Sequence, residues 1–410
     1  MIPHRRLLCP LLLALFLAGC ESNPASKTAN NPAAEGAAIS TAPLDPAGFQ
    51  PIWRGELGLN PGDNVTGIFP IGDSVYVYVG NDSVRCFDRS TGVMRWSILL
   101  GNSDQQVPRP PIVFKDYVVF PTKDTLEIYH RYGDFLKSIS IGYKISSPVV
   151  GINDLCCMGI DFSGGRIELV NIDRAYHNVD WDLMMDGAVL GAPAIYQGTI
   201  FAGSEDGGIR AVGTDRSSAW FIDNDNPAQN DEYLTGGPIR TDIAADRSGV
   251  YVANEDGRLV CLEPDTGHLN WEYLSPVSFQ SGPILGVNLV YQPVPGEGII
   301  AFEKHDTYHT GASHALILET ERQPIWHNTE VQQVLSEDDN YLYCLSNGGH
   351  VIAIDMTSGA TVFRTRVNHL VAYARDPDDS TIFGVSDTGS LWAIKPIVRP
   401  GVEGFISAPQ

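Results

Sequence analysis

Short apolar bursts alternate with polar turns along most of the chain, and no apolar stripe keeps a helical period for long. The clearest instance runs from Gly249 to Leu274. Val250 to Ala253 is β-branched and aromatic, Arg258 to Leu262 is a second apolar run, and Leu269 to Tyr273 a third. Glu255-Asp256-Gly257 and Asp265-Thr266-Gly267 separate them. Asp-Gly is a strong hairpin signal, because both turn residues tolerate positive φ. The pattern predicts three strands in a meander, with Trp271 four residues after Gly267. A lone meander cannot bury its apolar face, so the unit requires neighbours.

The same pattern recurs. Ser74 to Leu99 repeats it with Trp96 four residues after Gly92, and Tyr341 to Arg366 repeats it with Phe363 in the Trp place. Weaker copies lie at 118–140, 155–182, 199–221 and 289–327, and a final copy, 381–395, stops early. Pro111, Pro148, Pro193, Pro238 and Pro283 open five units, and subtraction puts the last four 45 residues apart. A period of roughly 40–50 residues with four short strands per unit predicts a β-propeller. Counting second strands by Val75, Val118, Leu155, Ile200, Val250, Leu289, Leu342 and Ile382 gives eight blades. The last copy lacks a fourth strand, while Pro51-Ile52-Trp53-Arg54 has no blade before it. Trp53 is therefore expected to close blade eight from the N-terminal side and remove an open sheet edge.

Four segments follow: 1–20, 21–48, 49–398 and a tail, 399–410. Residues 1–20 carry Arg5-Arg6, an apolar run to Phe16, and Leu17-Ala18-Gly19-Cys20. The run is too short for a membrane span and reads as a signal peptide. Small residues before a Cys resemble a bacterial lipobox, which implies cleavage before Cys20, its acylation (palmitate among the acyl chains) and anchoring in a membrane. Glu21 in place of Asp points to the outer membrane, facing the periplasm. Residues 21–48 are rich in Asn, Pro, Ala, Ser and Thr and are expected to be a disordered tether reaching about 30 Å. From Phe49 onward the chain reads as one all-β domain, a size that repeats allow. The full chain's net charge of −22, from 49 acidic and 27 basic residues, speaks against nucleic acid.

The repeated motif, an apolar strand, Asp-Gly, a second strand, Thr-Gly and then Trp, resembles the pyrroloquinoline-quinone (PQQ) type of propeller repeat. Val250 to Trp271, Val75 to Trp96 and Leu342 to Phe363 carry it. The resemblance implies that Trp53, Trp96, Trp181, Trp220, Trp271 and Trp326 dock one blade on the next, with Phe363 as a substitute. Leu136 holds the place in blade two, and Trp392 belongs to another strand. One branch of the superfamily comprises periplasmic dehydrogenases holding PQQ and Ca²⁺ on the propeller axis. The other is non-catalytic, and includes the eight-bladed lipoprotein of the outer-membrane β-barrel assembly machinery. Length, lipobox, tether and a single domain resemble the second branch. Fold alone does not decide function, so the residues must.

The enzyme branch uses a vicinal disulfide, for which Cys156-Cys157 is the sole echo. The pair falls within a strand rather than before it, and adjacent strand side chains point to opposite faces. Cys86, Cys261 and Cys344 read as core residues. No haem motif, phosphate loop, nucleophile elbow or zinc-protease helix occurs. Neither a cofactor nor a metal is expected, although His305, His309 and His314 with Asp306 offer metal-type ligands on a loop. Two longer stretches stand out. Phe221 to Gly237 reads as a link between blades four and five, and 293–313 as a link between the second and third strands of blade six. Both are expected on one face, where Asp225, Asp231, Glu232, Tyr233 and Tyr308 supply contacts for a protein partner. The sequence thus points to a non-catalytic, membrane-tethered, protein-binding scaffold of the cell envelope, monomeric within a complex. A PQQ- or metal-dependent oxidoreductase and an envelope sensor or carbohydrate binder are the alternatives.

Overall fold

In blade five the Asn254 side chain builds the first turn: its Oδ1 accepts from the backbone N–H of Asp256 at 3.1 Å and of Arg258 at 2.9 Å. Gly257 alone takes positive φ there, +81°, so one left-handed residue suffices where the Asp-Gly reading expected two. The strands that such turns set were obtained in a computed structural model. It describes residues 48–80, 82–100, 108–174, 179–217, 220, 232–304, 321–367 and 370–397. The chain divides into units 1–36 and 37–410, and every described residue belongs to the second.

The described residues form eight four-stranded antiparallel sheets and no helix. These are the blades of a β-propeller. In chain order, blades one to seven span 65–99, 112–140, 150–184, 194–234, 244–274, 284–328 and 331–365. The eighth sheet takes three strands from 370–396, and Phe49–Glu56 pairs antiparallel with Ser390–Pro396 as its fourth. The second strands fall where the apolar bursts put them, from Ser74–Val79 to Ile382–Ser386. They are the most buried, because both faces pack on neighbouring blades. One apolar cluster, for example, joins Val75, Val77 and Phe87 of blade one to Phe383, Val385 and Leu391 of blade eight.

The outer strands carry the docking residues. A bulge one residue before the docking position recurs: Trp96 pairs with Cys86, Trp181 with Leu169, Trp271 with Cys261 and Phe363 with Ala353. Bulges of this kind re-aim the side chain that follows. Five docking indole N–H groups reach a turn carbonyl about one repeat on: Trp53 to Arg89, Trp96 to Arg131, Trp181 to Thr214, Trp220 to Pro264 and Trp326 to Met356, all at 2.8–2.9 Å, whereas that of Trp271 meets no partner among the described residues. The ring lies flat on that turn. At Gly267 a Cβ would come 2.6 Å from the Trp220 ring, and φ is +74°, so only glycine fits. Trp271 is buried and stacks on Phe302 at 5.4 Å. Phe363 packs against Phe49 of the eighth sheet at 6.2 Å. Trp392 lies in the third strand of blade eight, under the Arg54 guanidinium.

Three expectations are corrected. In blade two Leu136 occupies the bulge, and Lys137 takes the docking position, its Nζ donating to the Arg174 carbonyl at 2.8 Å. The stretch from Phe221 does not link blades four and five throughout. Glu232–Leu234 pairs with Gly208–Gly213 as the fourth strand of blade four, so the extra residues lie between third and fourth strands. In blade six the second and third strands, Leu289–Val294 and Gly298–Glu303, are joined by a tight turn. The extra residues again precede the fourth strand, Trp326–Asn328. The strand ends that bound the two stretches lie on one face, opposite to that expected, and on blades flanking blade five.

Candidate functional site

Cys20, Asp225, Asp231, Tyr308, His305, His309, His314 and Asp306 lie outside the described residues. Glu232 and Tyr233 are strand residues rather than members of a free loop. Tyr233 pairs with Ile209 and packs on the core between blades four and five. Burial raises the Glu232 pKa, and its carboxylate sits 3.7 Å from Arg210 Nε. Cys156 and Cys157 point to opposite faces. Cys156 joins the cluster shared with blade two, and Cys157 the cluster shared with blade four. They form no disulfide, and burial pushes the Cys157 thiol up to about 12.

Two surfaces remain. The first is a rim at the ends of the outer strands. Met184, Leu234 and Leu274 are 43%, 63% and 50% exposed. All three occupy the same place, opposite the first residue of the third strand: Arg166, Gly208 and Arg258 respectively. Leu99 stands there in blade one, opposite Ser83. Scattered exposed apolar residues are ordinary. A repeat of the same exposed position on three consecutive blades is a built row. Asp186, Asp206 and Glu232 converge beside it, with ligand atoms within 4.8 Å of one another. Arg210 donates to Asp186 at 3.0 Å, so one resident cation already partly offsets the three carboxylates. Next along the rim, Arg166 stacks on Phe162 at 4.5 Å and on Tyr143 at 5.3 Å.

The second surface is a cleft of about 500 Å³ along the innermost strands of blades five to eight. Ile243, Pro283, Leu285, Val287 and Val334 give it apolar walls. Its charges come from the ends of the inner strands, where the chain turns into the second strand. Glu337 accepts from the Tyr291 hydroxyl at 2.9 Å and from the Val287 N–H, tying blade six to blade seven. Arg375 donates to the Leu285 carbonyl at 2.6 Å, across from blade eight to blade six. Asp376 is bound by both of its oxygens to Arg89 of blade one, at 2.8 and 2.7 Å. Arg89 also pairs with Asp378 and lies over the Phe383 ring. These groups were not singled out in the sequence. Asp376-Pro377 reads only as a turn, and nothing local reveals that four blades meet there.

The donor set of the quinone-dependent branch is not assembled by the described residues. The vicinal cysteines are split between two cores, and Glu337 and Asp376, the carboxylates of the inner cleft, are engaged by Tyr291 and Arg89 rather than converging. A calcium cage needs six or more oxygens aimed at one point.

Residues 159–273 and 229–309 match the family described as outer membrane protein assembly factor BamB. The chain is a PQQ-like repeat β-propeller that resembles BamB. Among solved structures, BamB from Moraxella catarrhalis aligns over 87% of this chain and all of its own, with a TM-score of 0.60 and 14% identity. The computationally designed Ika8 protein covers 84% of this chain and 99% of its own, at a TM-score of 0.60 and 13% identity. Quinohemoprotein alcohol dehydrogenase from Comamonas testosteroni aligns over 88% of this chain and 78% of its own, at a TM-score of 0.60 and 10% identity. Such identities establish a common propeller and no more. No curated protein matches the sequence.

Proposed function

We propose that this protein is a non-catalytic scaffold of the bacterial cell envelope that binds a protein partner through the rim of blades three to five. The observation that carries the reading is the row Met184, Leu234 and Leu274, one exposed apolar side chain at the same strand position on each of three rigid blades. Exposed apolar groups edged by polar ones are what protein interfaces use. The inner cleft supports the same reading from the other side, since its carboxylates hold blades together instead of facing a substrate. Likeness to an outer membrane protein assembly factor suggests the setting: Cys20 carries the lipid, 21–48 tether the propeller, and the partner belongs to an assembly machine for outer-membrane proteins.

The test uses the full-length protein in native envelopes. A photo-crosslinking residue at Leu234 or Leu274 should capture a discrete partner, and one at exposed Val371 on blade eight should not. Leu234→Asp with Leu274→Asp should leave the melting temperature unchanged and abolish capture. Equal capture from all three sites would remove the rim from the interface. Dye reduction with an alcohol, dependent on added PQQ and Ca²⁺, would replace the scaffold with the oxidoreductase.

A further inference from the structure

The inner cleft holds polar groups that its own blades leave incompletely bonded, and each of them can donate. Arg375 forms no ion pair among the described residues, and one of its N–H groups is engaged, at Leu285. Ser336 is 2% exposed, lines the cleft, and its Oγ meets no hydrogen-bond partner. A bulge at Leu335 puts it there. Val334 and Ser336 flank the bulge and both line the cleft, while the Leu335 carbonyl accepts from the N–H of Asp376 at 2.8 Å. A buried hydroxyl without a partner costs free energy and calls for an explanation. The acceptors, by contrast, are all committed: Glu337 to Tyr291 and Val287, Asp376 to Arg89. Burial lowers the Arg375 pKa even with the Glu337 and Asp376 carboxylates acting on it, so its charge is held at a cost that a further, directly bonded acceptor would relieve.

We propose that this cleft binds a small organic monocarboxylate with an apolar body, its oxygens taken by Arg375 and the Ser336 hydroxyl and its body lying on Ile243, Pro283, Leu285 and Val334. A guanidinium fork matches a carboxylate in two parallel hydrogen bonds. The charges of the site fix the valence. Arg375 and Arg89 face Glu337, Asp376 and Asp378, two cations against three carboxylates, so a dianion meets more repulsion there than a monoanion. The size agrees, since about 500 Å³ falls in the range of small-molecule pockets.

Octanoate is the probe, with 1-octanol and octyl phosphate as its uncharged and dianionic counterparts, titrated calorimetrically into the full chain. Octanoate should bind about tenfold or more tightly than 1-octanol, the worth of a charge-assisted hydrogen bond, and octyl phosphate should bind more weakly than octanoate. Arg375→Met should erase the preference over octanol, and Arg375→Lys should keep part of it. Ser336→Ala should weaken octanoate alone. Val287 stands at the mouth, 68% exposed, and touches neither donor, so Val287→Trp should fold normally and block octanoate. Equal binding of octanoate and octanol overturns the proposal. So does octanoate binding that survives Val287→Trp unchanged, which also decides the matter should Arg375→Met fail to fold. Octyl phosphate binding more tightly than octanoate would likewise overturn it.

Discussion

At the scale of single residues, Lys137 is instructive. It has nothing in common with tryptophan except length and a terminal N–H, yet it crosses to the next blade and donates to a turn carbonyl as the indoles do. What the position requires is a donor that spans the gap. Asp376 shows the reverse, a residue kept where its charge is costly. It is fully buried under Arg89, and burial pushes its pKa up to about 6 despite that partner and the N–H of Asp378. An unfolded Asp titrates near 4, so between about pH 4 and 6 the native state holds a proton that the unfolded chain has lost. The group's contribution is therefore full below about pH 4 and is lost as pH rises through 6, roughly 2–3 kcal/mol in all. Urea unfolding of the parent and of Asp376→Asn at pH 4, 5, 6 and 7 checks this. The stability of the parent relative to the variant should fall across the series. A difference that stays flat would mean the carboxyl titrates normally.

At the scale of elements, the fourth strand of blade four is the test case. Glu232–Leu234 is three residues long and carries no Trp, because Trp220 lies before the inserted stretch and still docks on Pro264 and Gly267. Docking residue and outer strand, joined in the other repeats, are separated here. The consequence is measurable. Replacing 221–231 by a short Gly-Ser link should leave the melting temperature nearly unchanged, since loop length costs little entropy. Extending the replacement to 237 removes the strand and Thr235, whose hydroxyl donates to the carbonyls of Gly207 and Gly237 while its carbonyl receives Asn254. That variant should lose several kcal/mol. If both behave alike, the strand contributes nothing. The cysteines belong to this scale too. Alternation along Leu155–Ile160 sends Cys156 and Cys157 into different cores, whatever the compartment.

At the scale of the whole molecule, the first and last strands share a sheet. Phe49 is buried beside Tyr343 and Phe363 of blade seven, and Trp53 hydrogen bonds to Arg89 of blade one. Phe49–Glu56 therefore touches both neighbours of the sheet it completes. A mature chain beginning at Gly48 should melt like the intact one, whereas a chain beginning at Gly55 should be less stable by at least the ~3–5 kcal/mol of a buried aromatic side chain. Equal melting temperatures would make the strand dispensable.

The sequence alone determined the class, the number of blades and the place of every second strand. Those depend on local periodicity and turn chemistry, which are written within some forty residues. It also marked the indoles, because a large aromatic at fixed spacing from Thr-Gly is a local signal. The positions of the two insertions were misjudged, because a short outer strand such as Glu232–Leu234 has too little apolar pattern to announce itself. Arg375, Ser336 and Glu337 were invisible, since each sits in an unremarkable turn or bulge. Only the ring brings the inner ends of blades five to eight together, and only there do a partly engaged guanidinium and an orphaned hydroxyl line one cleft.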